Sequence, residues 1–172
     1  MATPVIIEDY DQRWPHLFEM LSSQIAAVLN ELAVSIEHVG STAVPGLAAK
    51  PVIDIDVLLR SSPDLPVAIR RLGELGYEHR GNLSVSGREA FRAKDEGVRH
   101  HLYVCPPESR EYRRHIAFRN YLREHGADAD DYAVLKRELA RKFDSDRDAY
   151  NQAKSQFVER ILQRTLGAWS HD

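Results

Sequence analysis

The sequence predicts an α+β fold: a mixed β-sheet flanked by helices over residues 1–107, followed by a C-terminal α-helical segment over 108–172, within one domain. Three observations predict it. Val52 to Leu59 is an apolar, β-branched run of strand length, and three shorter strand-like runs follow between Tyr77 and Cys105. From Ser109 onward the apolar residues recur at helical spacing. The strict strand–helix alternation of a doubly wound sheet is missing, which argues against a Rossmann-like fold.

Trp14 to Leu32 reads as the first helix. Leu17, Leu21, Ile25, Val28, Leu29 and Leu32 share one face, and Pro15 fits the first turn. Ser35 to Val39 is a short strand ending at Gly40, and Ser41 to Pro51 is a loop with a type II turn at Pro45-Gly46. Asp54 to Leu59 is the central strand. Ser62-Pro63-Asp64 opens a helix that stops at Gly76, with serine as cap and proline in the first turn. The strands Tyr77–Leu83, Glu89–Lys94 and Arg99–Cys105 follow, joined as antiparallel hairpins by short links. Three helices complete the chain: Ser109 to His125, ended by Gly126; Asp130 to Phe143, with Tyr132, Leu135 and Leu139 inward; and Asp146 to Leu166, with Tyr150, Phe157, Ile161 and Leu162 inward.

Composition narrows the function classes. The 172 residues are 43% hydrophobic and 28% charged, with a net charge of −3, so the chain has no general nucleic-acid binder's charge. A nucleic-acid role would need a local patch and is not favoured. The single cysteine, Cys105, excludes an internal disulfide framework and a cysteine-rich zinc site, and fits a cytoplasmic location. The N-terminus has no secretory pattern, and no apolar run is long enough for a membrane span.

Asp54 and Asp56 carry the strongest chemical signal. Two residues apart in a strand, they stand on one face, with Ile53, Ile55 and Val57 on the other. Adjacent carboxylates repel, and burial makes their ionisation costlier. A divalent cation relieves both, and Mg²⁺ suits a pair of carboxylates that shares it with substrate phosphates. The alternative is a solvated face of a half-buried strand. Gly40, Ser41 and Thr42 end the preceding strand, where a glycine allows close backbone approach and amides or hydroxyls can cradle phosphate. Lys50 either neutralises a phosphate or is solvated. Arg92, with Lys94 on its face of the strand, either complements phosphate charge or is solvated, and Arg88 is read the same way. His101 and Tyr103 share a face; for His101 a structural role stands beside those of base and metal ligand. The arginine-rich helix from Ser109 and the basic residues Lys136, Arg137, Arg141 and Lys142 either bind a triphosphate or RNA or, the favoured reading, form charge-balanced, solvated faces interspersed with glutamates.

The segment Ile36-Glu37-His38-Val39-Gly40-Ser41-Thr42-Ala43-Val44-Pro45-Gly46-Leu47-Ala48-Ala49-Lys50-Pro51-Val52-Ile53-Asp54-Ile55 closely resembles the signature of the GrpB family. Tyr10 and Trp14 upstream add to the likeness, as do His101-Leu102-Tyr103-Val104 and Phe118-Arg119-Asn120-Tyr121-Leu122-Arg123. Tyr132, Leu135-Lys136, Leu139-Ala140, Tyr150, Lys154 and Phe157 extend it over nearly the whole chain.

The resemblance implies the nucleotidyltransferase superfamily fold, with Gly-Ser ending one strand and Asp-x-Asp on the next. It implies that Ser41 contacts nucleotide phosphates and that Asp54 and Asp56 hold Mg²⁺ during transfer of a nucleotidyl group from a nucleoside triphosphate. Active members usually add a third carboxylate from a later strand. Here that strand, Arg99–Cys105, has none; His101 and Tyr103 face the position. Two function classes follow: an Mg²⁺-dependent transferase with Asp54, Asp56 and His101 as its catalytic residues, or an inactive module that binds a nucleotide or coenzyme-like ligand and docks on a partner enzyme. Fusion of such domains to dephospho-CoA kinase in some bacteria is the basis for the coenzyme in the second class. The C-terminal helices either close over the site or form the contact surface of a homo-oligomer.

Overall fold

The structure is a computed structural model that describes residues 4–166. Helix α1 spans Trp14–Leu29 and passes through a 3₁₀ turn, Asn30–Leu32, into β1, Ala33–Val39. A second 3₁₀ turn, Ser41–Ala43, begins the loop to β2, Ile53–Leu59. Then come α2 (Leu65–Glu74), β3 (Tyr77–His79), β4 (Glu89–Ala93) and β5 (His100–Cys105). Helices α3 (Arg110–Glu124), α4 (Gly126–Lys142) and α5 (Arg147–Leu166) complete the described chain. No helix among the described residues is long and apolar enough to cross a membrane.

The five strands form one mixed sheet in the order β1-β2-β5-β4-β3. β2 runs antiparallel to β1 and parallel to β5, and β4 runs antiparallel to both β5 and β3. Alternation along the strands separates two faces. Ile53, Ile55 and Val57 of β2, Leu102 and Val104 of β5 and Phe91 of β4 are buried in the main core with Ile25 and Leu29 of α1 and Leu72 of α2. The opposite face carries Asp54 and Asp56, with His101 and Tyr103 in register beside them. A second cluster joins Val44 and Leu47 of the β1–β2 loop to Leu122, Tyr132, Phe157 and Ile161 of α3, α4 and α5. The loop beside the aspartates is thereby clamped by the C-terminal helices.

Several local expectations are corrected. The strand expected over Tyr77–Leu83 stops at His79, because Leu83 and Ser84 take left-handed φ of 48° and 64° in a longer β3–β4 connection. Ser62 does not cap α2: it lies in a 3₁₀ turn, and its hydroxyl donates to Glu108. α4 begins at Gly126, so a single residue, His125, separates it from α3. Ser109 does cap α3, its hydroxyl accepting from the Tyr112 amide at 3.1 Å. Gly46, at φ 81°, has the positive φ that a type II turn needs.

The basic helices are also less solvated than their composition indicates. Arg119 of α3 is buried and donates to Glu37 at 2.8 Å and to the His38 carbonyl at 2.9 Å. Arg123 donates to the Ala43 carbonyl at 2.9 Å. Arg114 pairs with Glu159 of α5. These arginines fasten α3 to β1, to the loop after it and to α5.

Candidate active site: two carboxylates beside a lysine-lined cavity

β2 places both aspartates on the face away from the main core, but in different environments. Asp54 is partly open, and its Oδ1 is 2.8 Å from Nδ1 of His101, its register partner on β5. Asp56 has no exposed surface, and its Oδ2 is 2.6 Å from Nδ1 of His115 on α3. Its other oxygen, Oδ1, is buried with no hydrogen-bond partner. Burial pushes the Asp56 carboxyl above its ordinary value, against the pull of His115. Burial alone would lower the pKa of His115, but the hydrogen bond and charge of Asp56 outweigh it and hold the imidazole above its usual range.

Gly40 is required where it stands. Its φ of 74° and ψ of −173° belong to a region that side chains avoid, and a Cβ there would lie 2.3 Å from Oδ2 of Asp54. The sharp exit from β1 thus runs against the first carboxylate. Thr42 is buried, its hydroxyl 2.9 Å from His38 Nε2 and 3.3 Å from the Val52 carbonyl, so this side chain braces the loop. Burial lowers His38 to about 4, which keeps that ring neutral.

A cavity of about 360 Å³ opens beside Asp54. Ser41, Thr42, Lys50, Asp54 and His101 line it from the sheet side, and Lys136, Arg147, Tyr150 and Lys154 line it from α4 and α5. None of its three lysines makes an ion pair with a described carboxylate. Lys136 is only 2% exposed, donates to the Ala48 carbonyl and lies 4.6 Å from the Tyr132 ring centroid. Lys50 sits 4.2 Å from the Tyr150 ring centroid, and Lys154 sits 5.3 Å from it. Burial, then the neighbouring cations, brings Lys136 down to about 7 and Lys50 to about 8. Burial also lowers Lys154. A cavity walled by cations that depress one another's charge is shaped for a polyanion.

The residues proposed from sequence fall into two groups. Gly40, Ser41, Thr42, Lys50, Asp54 and His101 meet at the cavity or directly behind it, and Asp56 lies one pleat further along β2. Arg92 does not line the cavity. It is exposed on β4, on the same sheet face but with β5 between it and the aspartates.

Two contributors, His115 and Lys154, escape sequence reasoning, and for Lys136 the sequence favours a solvated face over the triphosphate contact it also allows. Lys136 is buried because it follows the inward Tyr132 by four residues, which puts both on one side of α4. Lys154 follows Tyr150 by the same interval. That spacing was a usable signal. His115 offered none, since only the fold brings it to a strand 59 positions earlier.

Comparison with known proteins bears on the family and the fold. The GrpB protein family model matches residues 4–164. The chain belongs to the GrpB family. A UPF0157 protein of Halalkalibacterium halodurans is 36% identical over 161 residues, covering 93% of this chain and 82% of that protein. The crystal structure of the conserved protein GrpB from Enterococcus faecalis matches with a TM-score of 0.82 at 33% identity, covering 92% of this chain and 98% of that one. The Cid1 poly(U) polymerase, in a crystal structure of its H336N mutant bound to MgATP, matches with a TM-score of 0.54 at 14% identity, covering 78% of this chain and 44% of that one. The GrpB fold seen here is therefore nucleotidyltransferase-like.

Proposed function

We propose that this GrpB-family protein is an Mg²⁺-dependent nucleotidyltransferase, moving a nucleotidyl group from a nucleoside triphosphate to an acceptor hydroxyl. One observation carries the reading: two like-charged clusters of opposite sign share a wall. Asp54 and Asp56 form the acidic cluster, the cavity lysines form the basic one, and Asp54 borders both. A metal–triphosphate complex would satisfy both at once. The Cid1 neighbour, bound to MgATP, supports the choice of ligand.

Asp54 and Asp56 fit Mg²⁺. The unpartnered, buried Oδ1 of Asp56 is a donor waiting for a cation, and the site is hard and oxygen-rich. No group of three or more His, Cys, Asp and Glu side chains among the described residues could hold a metal, so phosphate oxygens would complete the shell. When bound, Mg²⁺ supplies charge neutralisation to the triphosphate. Lys50, Lys136 and Lys154 bind the β- and γ-phosphates, and Ser41 hydrogen-bonds at the cavity mouth. His101 directs Nδ1 at Asp54, which leaves Nε2 free to accept the proton of the acceptor hydroxyl. The acceptor oxygen bonds to the α-phosphorus as the bond to the bridging oxygen breaks, and pyrophosphate leaves.

A second reading, an inactive module that binds a nucleotide or coenzyme-like ligand, draws on a specific feature. The β5 residues opposite Asp54 and Asp56 are His101 and Tyr103, with no third carboxylate. Calorimetric titration of ATP, GTP, CTP and UTP with Mg²⁺ tests both readings, using the wild type and the Asp54→Asn/Asp56→Asn variant. Mg²⁺-dependent binding that the variant loses, with pyrophosphate released when acceptor is added, is the expected outcome. Binding with no pyrophosphate from any acceptor favours the inactive module. No binding of any triphosphate overturns both.

A further inference from the structure

The site face of the sheet continues past the aspartates to β4. Phe91 of β4 is buried in the main core, so Arg88, Ala90 and Arg92 alternate onto the opposite face. Ala90 pairs with Tyr103, which pairs with Asp56, placing the three in one row across the sheet. Arg88 and Arg92 therefore flank this row two strands from the carboxylates, roughly 10 Å away. The lysine cavity lies on the other side of Asp54, among the β1–β2 loop, α4 and α5.

Neither arginine is ion-paired among the described residues, although the charge of Arg88 reaches Asp56 and lowers that carboxyl's pKa against its burial. The guanidinium of Arg88 lies 4.2 Å from the Tyr103 ring centroid, and its Nε is buried with no hydrogen-bond partner. Arg88 Nε and Asp56 Oδ1 are the two side-chain atoms of the described residues left in that condition, and Tyr103 stands between their strands. Tyr103 itself lies between the rings of His101 and His115, at centroid distances of 6.4 Å and 6.5 Å.

We propose that Arg88 and Arg92, with Tyr103 as a platform, bind a phosphate group on the acceptor, which is therefore a small hydroxyl-bearing phosphate ester. This rests on the transferase reading above and names its second substrate. Two guanidinium forks can both be satisfied by a phosphate with three terminal oxygens, whereas one fork already saturates a carboxylate. The ester spans β5, with its phosphate on β4 and its hydroxyl at His101 Nε2 beside Asp54. The net charge of −3 argues for a small ester over a polynucleotide, which would need a continuous basic track. Arg92 then serves the acceptor and not the nucleotide.

Calorimetry on the full chain tests this with ribose 5-phosphate as probe and ribose as its uncharged control. Titrations are run on the apoprotein and on protein saturated with Mg²⁺ and the non-transferable analogue α,β-methylene-ATP. Ribose 5-phosphate should bind both forms, and ribose neither. Arg88→Gln and Arg92→Gln should each weaken the probe roughly tenfold, the scale of one charge-assisted contact. They should leave affinity for the analogue unchanged. Lys154→Gln should do the reverse. Circular dichroism confirms that each variant is folded, and Arg92→Gln, on an exposed position, keeps the test alive if Arg88→Gln is not. Equal probe binding by wild type and both arginine variants would overturn the proposal, as would no probe binding. Arginine-dependent binding of a short oligoribonucleotide, but not of ribose 5-phosphate, would overturn the small-ester assignment. Failure of the analogue alone to bind would remove the transferase reading while leaving the arginine site standing.

Discussion

The acidic row on β2 and the basic cavity beside it solve the same electrostatic problem in different ways. Each collects like charges in a partly dehydrated place. In the acidic row every carboxylate is given a histidine: His101 for Asp54 and His115 for Asp56. In the basic cavity no lysine is given an acid; they rest on tyrosine rings, on a carbonyl and on lowered pKa values. The imidazole of His115 thus opposes the burial that pushes the Asp56 carboxyl up, whereas in the basic cavity burial lowers all three lysines with no ion pair to oppose it. Stability measurements should separate the two regions sharply.

The largest effect should come from the buried end of the acidic row. His115→Ala strands the Asp56 carboxylate with neither oxygen bonded, at a cost of about 3–5 kcal/mol. Thermal unfolding reads the loss, and Mg²⁺ should restore part of it by taking the place of the imidazole. If the variant is as stable as wild type, Asp56 is neutral in the native state and the contrast with the lysines collapses. Gly40→Ala comes next. It combines a disallowed φ of 74° with a Cβ 2.3 Å from Asp54 Oδ2, and about 1–3 kcal/mol of strain is expected before the clash is relieved. Relief requires Asp54 to move, so Mg²⁺-dependent ATP binding should weaken beyond what stability loss alone explains.

In the basic cavity the sign reverses. The folded Lys136 titrates at about 7, against an ordinary value of 10.5, so between those limits the unfolded chain binds more protons than the native one. Stability of the apoprotein should therefore rise with pH from about 7 toward 10. Lys50, lowered to about 8, adds to the upper part of that window. Lys136→Met should flatten the slope and leave stability at pH 7 equal or improved, because a buried unpaired cation is replaced by an apolar chain of similar length. The same variant should bind triphosphate about tenfold more weakly. A wild-type profile that falls from pH 7 to 9 would place the lysines in the same class as the histidine-paired acids.

How much of this could be read from the chain follows the same division. The acidic row was legible because its evidence is local: Gly40-Ser41 ends one strand, and Asp54 and Asp56 interrupt the apolar alternation of the next. The helical start at Ser109 and the antiparallel pairing of the later strands were legible for the same reason. The basic cavity was not, because its lysines come from helices whose composition is balanced by glutamates. Only the placement of Lys136 and Lys154 four residues after buried tyrosines separates them from solvated neighbours. Arg119 was misjudged on the same ground, and its burial depends on Glu37 and His38 of a strand some eighty positions away. The premature end of β3 is a backbone matter: left-handed φ at Leu83 and Ser84 has no signature in residues of those types.

Within the acidic row the smallest stability effect should belong to His101, and that is its value. Its side chain is 58% exposed, so its pair with Asp54 is worth only about 0–1 kcal/mol to the fold. His101→Ala should therefore unfold within a few degrees of wild type, and should bind Mg²⁺ and ATP nearly as well, since Asp54 keeps its place on β2. If His101 accepts the acceptor proton, turnover should still fall roughly 10²–10⁴-fold, the usual contribution of a positioned base. His115→Ala would fall in both stability and turnover, and so could not distinguish support from chemistry. A His101→Ala variant that binds and turns over like wild type would hand proton transfer to water or to another group. It would leave the β5 histidine as a tether for Asp54.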